Sequence, residues 1–253
     1  MGFPEQPASK SPVTIERCTT LDENRQCVRL QRTIWNDPDE DLIPSTVLMV
    51  ANKIGGHVLL ARDGENAVGF AVALPAFRGE LRYLHSHIVG VVQEYRSRGL
   101  GRLIKMRQRE LAVDQGIALM EWTFDPLDLR NAYFNVARLG ATIRRFHPNL
   151  YGVTASPLHH GLPTDRLVAE WWVSSPRVEH ALAGSAPTAA QDAVRIVVPA
   201  AMEGWRKSGS PEAGTVQARL RAEFEQRFAS GYAVTAFKTK NGDGVYLLER
   251  QED

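Results

Sequence analysis

The stretch His87–Gly101, HIVGVVQEYRSRGLG, carries an apolar segment into a loop that holds Arg96, Arg98, Gly99 and Gly101 at a predicted helix start. Glycines let backbone N–H groups turn toward a common point with no Cβ in the way. The positive end of a helix dipole and the guanidinium groups of Arg96, Arg98 and Arg102 would then suit a phosphate or pyrophosphate. The physics specifies an anion without saying which one. The loop is neither a Walker A sequence, which needs Gly-Lys-Ser or Gly-Lys-Thr, nor the three-glycine dinucleotide fingerprint.

Just upstream, His85 and His87 alternate along one predicted strand and so share a face. Imidazoles titrate near neutrality and suit general-base work, although both could equally be hydrogen-bonded residues of a sheet. Asn131 and Asn135 lie four apart on one face of a predicted helix. Trp122 and Asp125 stand at the end of the strand before it, where Trp122 could be plain core and Asp125-Pro126 a plain turn. The acidic stretch Asp37-Pro38-Asp39-Glu40-Asp41 reads as a solvated loop. His147, His159 and His160 lack spaced cysteine or carboxylate partners, so no metal is assigned to them.

The elements that must position these residues follow from periodicity. Val13–Cys18 alternates as a strand, and Thr20 with Glu23 has capping-box spacing ahead of Cys27, Leu30 and Ile34 on one helical face. A short helix over Ser45–Ile54 is ended by Gly55 and Gly56. His57–Ala61 and Ala67–Leu74 flank a turn and form a hairpin, and Leu81–Val92 is a longer strand. Arg98–Asp114 reads as a helix with Leu100, Leu103, Ile104 and Leu111 inward. A strand over Ile117–Phe124, a helix over Leu129–Leu139 closed by Gly140, and strands over Ala141–Phe146 and Arg166–Val173 come next. Residues 180–193, rich in Ala, Ser, Gly and Pro, read as a linker. Beyond it come a strand over Val194–Val198, a helix carrying Val216, Leu220, Phe224 and Phe228, and a hairpin of Val234–Lys238 with Val245–Glu249. The class is α/β with a mixed sheet.

The chain has 253 residues and a formal net charge of +1, which gives no global reason to expect nucleic acid or an anionic membrane as partner. No apolar run approaches the ~18 residues that a spanning helix needs. Two cysteines, Cys18 and Cys27, make no disulfide framework and fit a reducing, cytoplasmic setting. Residues 1–12 read as a disordered tail without a signal-peptide core.

The loop resembles the acyl-CoA pyrophosphate loop of the GNAT superfamily of N-acyltransferases, Arg or Gln, two residues, Gly, one residue, then Gly or Ala, with Arg96, Gly99 and Gly101 at the patterned positions. The resemblance runs from about Val13 to Val173 and includes LHSH (Leu84–His87), WTFDPL (Trp122–Leu127), NAYFN (Asn131–Asn135) and LPTDRLVAEW (Leu162–Trp171), runs similar to those of an uncharacterised bacterial subgroup. It implies a twisted sheet whose fourth and fifth strands splay, in an acyltransferase domain over residues 13–179; beyond its reach, the helix and hairpin after the linker read as a C-terminal α/β extension over 194–253. It also implies that acetyl-CoA or another acyl-CoA is co-substrate and lies along Ile88–Val92, contacting Val89 and Val91, with a backbone N–H near Val91 polarising the thioester carbonyl. Arg96, Arg98, Gly99, Leu100, Gly101 and Arg102 would hold the pyrophosphate, Asn131 and Asn135 the pantetheine, and Trp122 and Asp125 the substrate. His85 and His87 resemble a histidine pair of arylalkylamine N-acetyltransferases that deprotonates the amine through water. The family's acid tyrosine falls at Val136 here, with Tyr133 and Tyr151 as substitutes. The implied activity moves an acetyl or other short acyl group, succinyl included, to the primary amine of a small molecule such as an amino acid. A homodimer is left open. The alternative is a non-catalytic acyl-CoA-binding module.

Overall fold

The computed structural model describes residues 13–36, 39–152 and 161–251, so the N-terminal tail and the His159-His160 pair lie outside the described residues. The chain divides into two compact units, Met1–Ile117 and Ala118–Asp253, both mixed α/β. Among the described residues no helix is long and apolar enough to cross a membrane.

The first unit contains β1 (Thr14–Arg17), α1 (Leu21–Trp35), α2 (Ser45–Lys53), β2 (His57–Asp63), β3 (Asn66–Arg78), β4 (Leu81–Val91) and α3 (Leu100–Asp114). Its strands form an antiparallel sheet in the order β1-β2-β3-β4. The capping box is present: Thr20 accepts from the Glu23 amide, and Glu23 accepts from the Thr20 amide at 2.9 Å. Strand alternation splits the core into two layers. Val58, Leu60, Phe70 and Val72 meet Cys27 and Leu30 of α1 and Leu48 and Ala51 of α2. Leu59, Ala61, Val68 and Ala71 meet Leu100 and Ile104 of α3. Gly90 lets α1 sit on β4, because a Cβ there would lie 2.6 Å from Trp35 and 2.8 Å from Ile34. The Sγ atoms of Cys18 and Cys27 are buried as free thiols 3.7 Å apart.

The register of β4 changes once. Val72 faces Ile88 while Ala73 faces Ser86, so His87 is an extra residue, a β-bulge. One extra residue exchanges odd and even faces. Ser86 points to α3 before the bulge, and Val89 and Val91 pack toward α3 after it.

The second unit contains β5 (Leu119–Phe124), α4 (Leu129–Ala132) continuing as a π-helix over Tyr133–Arg138, β6 (Thr142–His147), β7 (Arg166–Trp172), α5 (Pro176–Leu182), β8 (Val194–Val198), α6 (Met202–Ser208), α7 (Pro211–Ala229), β9 (Tyr232–Lys240) and β10 (Asp243–Arg250). The strands run antiparallel in the order β5-β7-β6-β9-β10-β8. Two helices go beyond the sequence expectation, α5 and α6, each of seven residues. The expected stripe on α7 is there: Leu220 and Phe224 are buried, and Phe224 stacks on Phe146 and Phe228.

Buried carboxylates tie this unit together. A register shift between Ile143 and Arg145 lets adjacent arginines reach one side: Arg144 pairs with Glu170 at 2.7 Å, while Arg145 pairs with Glu170 at 3.2 Å and Glu121 at 2.5 Å. Asp165 takes a bidentate pair from Arg221 of α7, 2.7 and 3.1 Å, and accepts the Asn149 amide at 2.9 Å. The LPTDRLVAEW run thus contains the anchor for α7. Asp165→Ala should cost about 2–4 kcal/mol, because the partners lose a buried acceptor. Arg221→Lys, which loses the bidentate fork, should cost about 1 kcal/mol. Urea unfolding of both variants measures the order, and a neutral Asp165→Ala would remove this anchor from the account.

Candidate functional site

Between β4 and α3 the backbone turns sharply. Tyr95 and Arg96 donate their amides to Val92 O at 3.0 Å and Gln93 O at 3.1 Å, and the first bond of α3 runs from Leu103 N–H to Gly99 O at 3.1 Å. An α-helix leaves its leading amides without intrahelical acceptors, so those of Leu100 and Gly101 project from the helix start at the positive end of its dipole. Gly99 caps the helix at φ +86°, a left-handed conformation that glycine adopts without strain, and Ser97 also has positive φ, +60°. A Cβ on Gly101 would meet nothing within 4 Å, so the approach is open. Leu100 buries its side chain in the α3 core layer and can offer only its amide.

The arginines differ in their tasks. Arg96 donates Nε to Val91 O at 3.0 Å and Nη2 to Ile34 O at 3.3 Å, tying the loop to the end of β4 and the last turn of α1. Arg98 lies over the Tyr95 ring, 5.8 Å from its centroid, and the Tyr95 hydroxyl donates to Asp63. Arg102 is half-buried on the first turn of α3.

Val92 donates its amide to Val68 O on β3 at 3.0 Å. Antiparallel alternation then turns the amides of Val91 and Val89 the other way, to the edge of β4 away from β3. A donor at Val91 is fixed in direction by the strand that carries it.

His85 and His87 are brought together, with ring centroids 5.9 Å apart at 46°. His87 is open to solvent at one edge, yet desolvation of the ring lowers its pKa below the ordinary 6.5. It is therefore a neutral imidazole at physiological pH, the form that accepts a proton.

Behind β4 lies a polar row that the sequence reading missed. Lys105 is 4% exposed, whereas Leu103, expected inward, is 49% exposed. Lys105 Nζ donates to Ser86 Oγ at 2.8 Å, and Ser86 Oγ donates to Gln108 Oε1 at 2.9 Å. Positions 100, 104, 105, 108 and 112 form the buried face, and their spacing of three and four was the available signal. His57 lies in the same sheet row, paired to Ala73, which pairs to Ser86. Burial first, then Arg17, Lys105 and Arg107, lowers its pKa to about 3.

In the second unit, Trp122 Nε1 donates to Asn135 Oδ1 at 3.2 Å and Asn135 Nδ2 donates to Asn131 Oδ1 at 3.1 Å. Three of the sequence-selected residues thus form one chain. Asp125 accepts the Leu127 amide at 2.8 Å and pairs with Arg206 of α6 at 3.0 Å, so its carboxylate holds that helix. Val136 is fully buried. Tyr133 and Tyr151 are exposed, and the Tyr151 hydroxyl lies 3.1 Å from Thr123 Oγ1. No group of three or more His, Cys, Asp or Glu that could hold a metal occurs among the described residues. Asp39 of the acidic loop pairs with Arg32 at 2.9 Å, and Asp37 lies outside the described residues.

A structure from Desulfovibrio desulfuricans described as an acetyltransferase of the GNAT family matches 64% of this chain and 99% of its own at 16% identity, with a TM-score of 0.51. The chain has the GNAT fold. YncA of Salmonella typhimurium, solved with acetyl-CoA, matches 66% of this chain and 98% of its own at 18% identity and TM-score 0.51. An Arabidopsis thaliana protein in complex with the bisubstrate analogue CoA-Ac-MVNAL matches 63% and 98% at 14% identity and TM-score 0.50. No family model and no curated protein matches the chain.

Within this GNAT fold, His57 makes stability depend on pH. The unfolded chain protonates this imidazole below about 6.5, the folded protein only near about 3, so the unfolded state binds more protons in between and stability falls as pH drops through that window. His57→Leu should flatten the decline between these values, read from urea midpoints across pH. An unchanged slope would acquit His57.

Proposed function

We propose that the chain is an acyl-CoA-dependent N-acyltransferase that moves an acetyl or other short acyl group, succinyl included, to the primary amine of a small molecule such as an amino acid. The observation that carries this reading is the join of β4 to α3: outward amides at Val89 and Val91 lead directly into an open glycine loop at a helix start. Acyl-CoA supplies an activated thioester and a pyrophosphate. The amides of Leu100 and Gly101, with Arg98 and Arg102 beside them, fit the pyrophosphate by charge and geometry. The Val91 amide stabilises the charge that develops on the thioester oxygen. His85 and His87 take the proton that the ammonium must lose before its nitrogen has a lone pair. Attack forms the amide bond and breaks the C–S bond, and the departing thiolate takes its proton from water.

The Arabidopsis neighbour carries an analogue that joins CoA to a peptide, so a peptide amine lies within the range of this architecture. One observation favours a second reading, a non-catalytic acyl-CoA-binding module: Val136, fully buried, stands where the resemblance expects an acid tyrosine. CoA release followed with a thiol reagent against a panel of amines and amino acids separates the two, since binding without release on any amine supports the module.

Gly101→Glu adds a negative side chain at the helix start, where a Cβ meets nothing within 4 Å. It should weaken CoA binding by about 100-fold or more with an unchanged melting temperature, read by calorimetry. Undiminished affinity would move the anion elsewhere. His85→Gln with His87→Gln should slow turnover most at low pH, where the amine is mainly ammonium, with the deficit shrinking as pH rises toward about 9. A deficit independent of pH would return both residues to a structural role.

A further inference from the structure

Ser86 stands between the two histidines on the opposite face of β4, and the extra residue of the strand follows it directly. A bulge leaves two residues opposite one and interrupts the ladder, so the paired strand alone does not decide where along β4 it sits. The face toward α3 supplies that decision. Lys105 donates to the Ser86 hydroxyl and Gln108 accepts from it, which uses the hydroxyl in both senses and fixes its direction. All three residues are buried within a layer otherwise built from Leu100, Ile104 and Ala112. An amine and an amide in such a layer are costly unless hydrogen-bonded, and buried polar groups are best attested where they select one register over its neighbours. Moving the extra residue one place toward the start of β4, onto Ser86, would turn His87 under α3 and break both hydrogen bonds to Ser86.

We propose that Lys105, acting through Ser86, is a positioning residue that locks the bulge of β4 and thereby sets how His85 and His87 are presented. The inference rests on the acyltransferase reading for its catalytic consequence and on geometry alone for its structural one. On the α3 side the titratable and charged groups include Arg102, Lys105, Arg107, Arg109, Glu110 and Asp114 of α3 itself and His57 of β2, which shares the sheet row of Ser86; alternation puts His85 and His87, ring centroids 5.9 Å apart, on the opposite face.

The test uses the full chain with Lys105→Met, which keeps the length of the side chain and removes the donor, and with Ser86→Ala, which removes the acceptor. Lys105→Met should fold with a melting temperature at or above that of the parent, as expected when an apolar chain replaces a buried amine. In both variants the His87 ring-proton NMR titration should move toward the ordinary imidazole midpoint near ~6.5. CoA release should fall about 10- to 100-fold in kcat, with KM for acyl-CoA unchanged. If both variants keep the parent's histidine titrations and kcat, the proposal is overturned. A parent that releases no CoA with any amine defeats the acyltransferase reading instead, and the NMR titrations then still decide the positioning role. If Lys105→Met does not fold, Ser86→Ala decides.

Discussion

A strand with one extra residue presents its odd-numbered side chains to one face before that residue and to the other face after it, and β4 is built around this constraint. Before His87, the face toward α3 needs a group that α3 can hold, and Ser86 supplies a hydroxyl. After it, the same face receives Val89 and Val91, which pack with Leu100 and Ile104. The opposite face then receives Gly90, where α1 comes so close that no Cβ fits. Without the bulge, valines would meet α1 where only glycine fits, and the outward amides at the end of β4 would belong to other residues.

The loop depends on the strand end that this parity fixes. Val91 O, turned outward, accepts Arg96 Nε, and the same guanidinium reaches the last turn of α1 at Ile34 O. One planar side chain bridges two backbone segments, a geometry that lysine, with a single point of charge, does not reproduce. Arg96 therefore ties the loop to the ends of β4 and α1, while Arg98 lies over the Tyr95 ring.

Much of this was legible in the sequence, for physical reasons that can be named. Thr20 and Glu23 announce α1 because a capping box is local, and Arg96, Gly99 and Gly101 announce the loop because positive φ and open approach select glycine. The bulge at His87 was not legible, since it is a property of how β4 meets β3 and leaves the alternation of residues 84–91 unmarked. The burial of Lys105 was not legible either, since its charge argues for solvent while its place beside Ile104 and Gln108 puts it on the buried face. Helices α5 and α6 are too short for a periodicity to declare itself, although Ser175 before Pro176 was a usable start signal for the former. In the helix after β5, Leu139 bonds back to Phe134 and Ala141 to Asn135, so this turn is wider than an α-turn, a feature that residue spacing alone does not declare. In the second unit the LPTDRLVAEW run was recognisable as a pattern, but only the pairing of Asp165 with Arg221 explains why it contains a buried acid.

The contact between Cys18 and Cys27 bears on how this protein behaves in the presence of thiol reagents. Thiolate, rather than thiol, attacks such reagents, and the neighbouring sulfur together with burial pushes the Cys27 thiol far above its ordinary range. Both side chains are closed to solvent between β1 and α1. In the folded protein burial keeps both sulfurs from a thiol reagent. In denaturant both become reactive, so such a reagent counts unfolded molecules there.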